Sequence, residues 1–207
     1  AFLINGVTVK DKKVYPRTKK IITDLNKTLI EINLLNDEKI INQINLIIKK
    51  ITKSLKKNGK IILCGNGGSA AHAQHFSAEY VSKFEKIRKP LSAISLTTDT
   101  SIITSVSNDF NYKYIFSKQI EALGRKEDIL LCYSTSGNSQ NIIEAAKSAK
   151  KKGIFVVSHT GIKKNKLSKF SNINVKSPSL KTSTIQECHL LIDHIICRIV
   201  EENLSKN

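Results

Sequence analysis

Between Thr18 and Lys57 the apolar residues recur at helical spacing: Ile21, Ile22, Leu25, Leu29, Ile32 and Leu35, then Ile40, Ile41, Ile44, Ile47, Ile48, Ile51 and Leu55. Asn36-Asp37 interrupts the run and divides it into two predicted helices, and either residue can cap the second. From Lys60 onward the period changes. Short apolar runs at 61–64, 92–96, 129–133, 154–158 and 173–175 alternate with helical segments at 69–84, 101–107, 114–123, 139–151 and 184–202. Such alternation predicts an α/β fold, a doubly wound parallel sheet of five strands with helices on both faces, preceded by the helical pair. At the start, residues 2–9 read as two short strands around Asn5-Gly6, a strong hairpin turn signal. We therefore divide the chain into an N-terminal hairpin-like extension, 1–16, and a single domain, 17–207.

Composition narrows the function classes. The chain has 207 residues, 40% of them hydrophobic, enough for one substantial core. No apolar run reaches the roughly 18 residues that a membrane helix needs. The longest, 190–200, is broken by Asp193, His194 and Arg198. With no signal-peptide pattern at the start, a cytoplasmic location is expected, with no membrane partner. The four cysteines, Cys64, Cys132, Cys188 and Cys197, form no CxxC and read as reduced, half-buried thiols. The net charge is +17, but arginine occurs only at Arg17, Arg88, Arg125 and Arg198. The remaining positive charge is scattered lysine on helix faces. Because planar, bidentate arginine is the usual reader of phosphodiesters and guanines, no nucleic-acid partner is expected. A positive surface still attracts an anionic substrate.

In a doubly wound sheet, ligands sit beyond the carboxyl ends of the strands. Two loops there carry chemistry. Cys64-Gly-Asn-Gly-Gly-Ser-Ala-Ala71 follows a strand and opens a helix. Its glycines let backbone approach an anion closely and Ser69 can donate its hydroxyl, although the same glycines suit a tight strand-to-helix turn. Ser134-Thr-Ser-Gly-Asn-Ser139 places four hydroxyls and a glycine at a helix N-terminus, more than capping requires. His75 and Glu79 share a helix face at i,i+4, the spacing of a metal or acid–base pair and also of an ordinary surface pair. The last helix carries Gln186, Glu187, His189, Asp193 and His194 among apolar residues, where polar groups need partners. Read alone, His194 fits a structural histidine as well as a functional one.

Together, Gly65-Asn-Gly-Gly-Ser-Ala-Ala71, Ala73-Gln-His-Phe76, Ala78-Glu79, Thr97-Thr-Asp-Thr-Ser101, Gly124-Arg125, Ser134-Thr-Ser-Gly-Asn-Ser139 and Ile185-Gln-Glu187 with His189 and His194 resemble the phosphoheptose isomerases, in order and at compatible spacing. The resemblance runs from about Thr18 to the C-terminus. It implies the sugar-isomerase (SIS) fold, flavodoxin-like in type, and a homotetramer. It implies conversion of sedoheptulose 7-phosphate to D-glycero-D-manno-heptose 7-phosphate, which feeds heptose of bacterial surface glycans such as lipopolysaccharide or capsule. It also implies one zinc ion (Zn2+) per subunit held by His75, Glu79, Gln186 and His194, with Gln186 also near the sugar. Phosphate contacts are implied for Ser134, Thr135, Ser136 and Ser139, and sugar contacts for Asn66, Gly67, Gly68, Asn108 and Asp109. We assign Glu79 as the base and His194 as its partner at oxygen. Gln186 and His194 are eight residues apart, about 12 Å along one helix. Either another subunit contributes, then, or one of the two is not a direct ligand.

Three residues depart from the family pattern. His72 stands where a small polar or acidic residue, often Asp, is usual; Lys83 and Thr184 stand where arginine is usual. They bear on the choice of sugar more than on the reaction type. A non-catalytic binding protein of the same fold is the main alternative and should lack the Glu79 carboxylate. A phosphosugar-sensing regulator should add a DNA-binding domain, for which there is no room.

Overall fold

The computed structural model describes residues 17–205. The hairpin expected at 2–9, and with it the 1–16 extension, lies outside the described residues. The five strands are β1 (Ile61–Gly65), β2 (Ala93–Ser95), β3 (Ile129–Tyr133), β4 (Phe155–Gly161) and β5 (Ile173–Ser177). The helices are α1 (Thr18–Asn33), α2 (Glu38–Lys56), α3 (Gly68–Val81), α4 (Thr100–Asp109), α5 (Ser117–Leu123), α6 (Gln140–Lys151) and α7 (Thr182–Ser205). All strand pairs are parallel and the order is β2-β1-β3-β4-β5. This is the expected doubly wound sheet in its flavodoxin-like order, whose connections diverge between β1 and β3. Gly65 and Tyr133 are register partners at that divergence, so the loops leaving β1 and β3 start side by side.

Every residue of β1 and β3 is buried, as the continuous apolar runs anticipate for strands covered on both faces. One core joins Ile48 and Ile51 of α2, Phe76 of α3 and Ile192 and Ile196 of α7 to the sheet. The other packs Val106, Ile120, Ile142 and Ala146 against the opposite face. Asp37 caps α2, its carboxylate accepting from the Ile40 N–H at 3.1 Å. Asp99 of the Thr-Thr-Asp-Thr-Ser run caps α4 in the same way. Helix α1 buries no residue, and Ile21, Leu25, Leu29 and Ile30 are exposed. No helix among the described residues is long and apolar enough to cross a membrane. All four cysteines are free and buried.

The structure shifts some boundaries. The segment 114–123 is not one helix but a 3-10 turn, Tyr112–Tyr114, followed by α5; Asn111 accepts from the Lys113 N–H and tightens the chain there. Helix α3 ends at Val81 rather than 84. The Arg88 guanidinium takes the carbonyls of Glu79, Tyr80 and Ser82, satisfying acceptors that another helical turn would use. Helix α7 is longer than 184–202 at both ends.

Candidate active site

The glycine loop is built for close approach. Gly67 has φ +54°, a conformation that suits glycine. A Cβ on Gly68 would lie 2.6 Å from the Gln186 Nε2 atom, so the α7 amide occupies the place a side chain would take. Asn66 exchanges hydrogen bonds with Asn141 of α6: its Nδ2 donates to Asn141 Oδ1 at 2.9 Å and its Oδ1 accepts from Asn141 Nδ2 at 2.8 Å. Tyr112 Oη donates to the same Asn66 oxygen at 3.2 Å. Asn108 and Asp109, at the exposed end of α4, hydrogen-bond each other close in sequence to Tyr112. Ser69 is buried in the first turn of α3.

The second loop joins β3 to α6. Ser134 Oγ accepts from the Gly137 N–H and lies 3.4 Å from Ser139 Oγ. Gly137 has φ +63°, and Asn165 fills the space where its Cβ would be. Ser139 occupies the N-cap position of α6, yet its side chain makes no capping bond. Thr135 and Ser136 line a cavity of about 230 Å³ with Lys163, Lys164, Gly161 and Thr182. Hydroxyls not spent on capping, lysines and a helix N-terminus suit a phosphate.

Helices α3 and α7 pack against each other. His75 and His194 bring their Nε2 atoms to 3.2 Å, and Glu79 Oε1 lies 3.5 Å from His75 Nε2. His75 is half exposed, and Glu79 is 22% exposed. Burial, then the neighbouring His75, holds the His194 pKa below the usual imidazole value. Two ligands of a tetrahedral zinc with bonds of 2.0–2.1 Å stand about 3.3 Å apart. The His75–His194 spacing therefore fits two corners of such a site, with Glu79 alongside. Among the described residues, no three His, Cys, Asp or Glu side chains form a finished metal cage. Gln186 sits against Gly68 at the start of α3, and it is two helical turns from His194 on α7.

Beneath this trio lies a buried polar layer. His72 Nε2 donates to Asp193 Oδ2 at 2.7 Å, and both side chains are nearly inaccessible. His159 Nε2 approaches Asp193 Oδ1 at 3.7 Å, and the Tyr133 and His189 rings close the layer. Burial opposes the Asp193 charge, but His159 and the His72 donor offset it and its pKa falls below the usual carboxylate value. Burial, reinforced by His159, pushes His189 down to about 3. Further along, Glu201 of α7 accepts from the N–H groups of Phe84, Glu85 and Lys86 and pairs with Arg88.

The three departures from the family pattern sit in different settings. His72 is partnered by Asp193, Thr184 is buried, and Lys83 is exposed beyond the end of α3. Sequence reasoning missed Asn141, Tyr112, His159, Arg88 and Glu201. Only an isolated arginine at 88 and a glutamate inside an apolar helix hinted at the last two.

Comparison with known proteins agrees with this geometry. A family model for the SIS domain matches residues 32–161. The phosphoheptose isomerase of Aneurinibacillus thermoaerophilus is 44% identical over 174 residues, covering 84% of this chain and 88% of that protein. That of Clostridium acetobutylicum is 45% identical over 171 residues, 83% and 87% of the two chains. The solved phosphoheptose isomerase of Francisella tularensis superposes with a TM-score of 0.85 at 35% identity, covering 91% of this chain and 100% of that one.

Proposed function

Since the chain belongs to the phosphoheptose isomerases of the SIS-domain family, we propose that it interconverts sedoheptulose 7-phosphate and D-glycero-D-manno-heptose 7-phosphate. The observation that carries the reading is the trio His75, Glu79 and His194, on the helix that the glycine loop opens and on α7, whose Gln186 sits against that loop.

The reaction moves a proton between adjacent carbons of the open-chain sugar through a cis-enediolate. Glu79 takes the proton from the carbon beside the carbonyl and returns it to the neighbouring carbon. His194, held neutral by its depressed pKa, exchanges a proton with the sugar oxygen. Ser134, Thr135, Ser136 and Ser139 grip the phosphate, whose binding energy fixes the carbon chain relative to Glu79. Asn66, held by Asn141 and Tyr112, Gln186 at Gly68, and Asn108 with Asp109 face the sugar hydroxyls. His75 and His194 would hold a zinc ion with Glu79 as a loosely held, exchanging ligand, which leaves the carboxylate free to act as base; the metal's charge, when bound, would polarise the carbonyl. The exposed apolar face of α1 supports assembly into a homotetramer. Work on a phosphorylated sugar destined for surface heptose suits a cytoplasmic enzyme.

The test is incubation of the purified protein with sedoheptulose 7-phosphate, following product by NMR with and without a chelator. Formation of the aldose phosphate, slowed by the chelator and restored by zinc, is expected. No turnover with or without zinc refutes the activity; turnover indifferent to chelation refutes the metal.

A further inference from the structure

We propose that the buried His72–Asp193 pair is a positioning element that holds His75 and His194 in register across α3 and α7. The inference rests on the isomerase reading of that trio but concerns residues which that reading does not use. His72 lies one turn before His75 on α3, and Asp193 immediately precedes His194 on α7. Their hydrogen bond, 2.7 Å long, lies one layer beneath the 3.2 Å contact of the two working imidazoles. The same two helices are thus tied twice, once in the interior and once at the half-exposed surface.

Phe76 connects the layers. Its ring centroid is 4.6 Å from that of His72, 5.0 Å from His75 and 5.1 Å from His194. The His72 ring also meets Tyr133 edge-on, at 4.3 Å between centroids. A carboxylate can only accept, so the His72 Nε2–H is the donor, which fixes the orientation of the imidazole. The bond is directional and buried, and a relaxation of either helix breaks it. Groups that hydrogen-bond a metal ligand directly typically govern metal affinity or activity by 10–100-fold; this pair acts on the ligands through Phe76 and the two helices, and the lower end of that range is expected.

The test separates positioning from bulk stability. His72→Phe keeps the packing between Phe76 and Tyr133 but removes the donor; His72→Gln keeps a donor near the Nε2 position. In His72→Phe, kcat should fall about tenfold with KM within twofold, and affinity for added Co2+ should fall about tenfold. His72→Gln should recover most of both. Adding Asp193→Leu to His72→Phe removes the orphaned carboxylate and should restore melting temperature without restoring kcat. A His72→Phe protein that melts lower but keeps wild-type kcat and Co2+ affinity overturns the inference, as does recovery of kcat in the double variant. If the wild-type protein turns over no sedoheptulose 7-phosphate, the activity reading fails by itself and Co2+ affinity decides this one. If it also binds no Co2+, imidazole NMR decides: the His75 and His194 resonances should move in His72→Phe and stay in His72→Gln. Unmoved resonances refute the pair's role.

Discussion

His75 and His194, 119 residues apart in the chain, face each other through their Nε2 atoms at 3.2 Å. Neither is placed there by its own helix alone. Helix α3 starts where the glycine loop releases β1, α7 starts after β5, and both pack on the same face of the sheet. Glu79, one turn beyond His75, completes the group.

Replacing Glu79 by Gln preserves size and most hydrogen bonding but removes the carboxylate proposed as the base. Turnover of sedoheptulose 7-phosphate should fall by about 10²–10⁴-fold, and further if metal is lost. Circular dichroism and melting temperature should stay near wild type, since Glu79 is partly exposed. Full activity in this variant would remove Glu79 from the mechanism.

Ser136→Ala combined with Ser139→Ala strips two hydroxyls from the loop after β3. Neither serine side chain caps α6, so helix stability should change little. Each charge-assisted hydrogen bond to phosphate is worth roughly 1.5–3 kcal/mol. KM should therefore rise at least tenfold in initial-rate assays. An unchanged KM would place the phosphate elsewhere.

The apolar stripe on α1 predicts assembly. Light scattering at micromolar concentration should report the mass of four chains. Leu25→Lys with Leu29→Lys, both on exposed positions of that helix, should yield smaller species. A monomeric wild-type chain would contradict the proposal.

Burial holds the folded pKa of His189 at about 3, below the roughly 6.5 of an unfolded histidine. Between those values the unfolded chain binds the proton and the folded chain does not. The stabilisation from keeping His189 neutral is therefore complete above pH 6.5. It drains at about 1.4 kcal/mol per pH unit as pH falls toward 3. Urea titrations from pH 7 to 5 should show this loss, and His189→Phe should flatten the slope. An equal slope in the variant would assign the acid sensitivity to other groups.

Helical and strand periods in the sequence located every α-helix and strand among the described residues, though not the 3-10 turns at Tyr112–Tyr114 and Leu167–Phe170, because burial on one or two faces leaves a period that needs no tertiary knowledge. Boundaries were less legible. The end of α3 depends on Arg88, and the split before α5 on the Asn111 turn, and neither alters the hydrophobic period. His75 with Glu79 could be read at i,i+4 on one helix, as could the hydroxyl run at 134–139. The Asn66–Asn141 exchange and the His72–Asp193 bond could not, since they join residues 75 and 121 positions apart through the sheet. The fully buried His159 gave no signal at all: an isolated histidine in an apolar strand looks the same whether it faces a carboxylate or not.

Helix α7 comes after all five strands in chain order, and it alone supplies Gln186, Asp193, His194 and Glu201. During synthesis all five strands and the loops after β1 and β3 therefore leave the ribosome before any of these four residues does. Until then the N–H groups of Phe84, Glu85 and Lys86 and the imidazole of His72 lack the carboxylates that will receive them. A chain interrupted before α7 lacks all four of those α7 residues and also the Ile192 and Ile196 side chains that cover one face of the sheet, so the centre and that core are completed together.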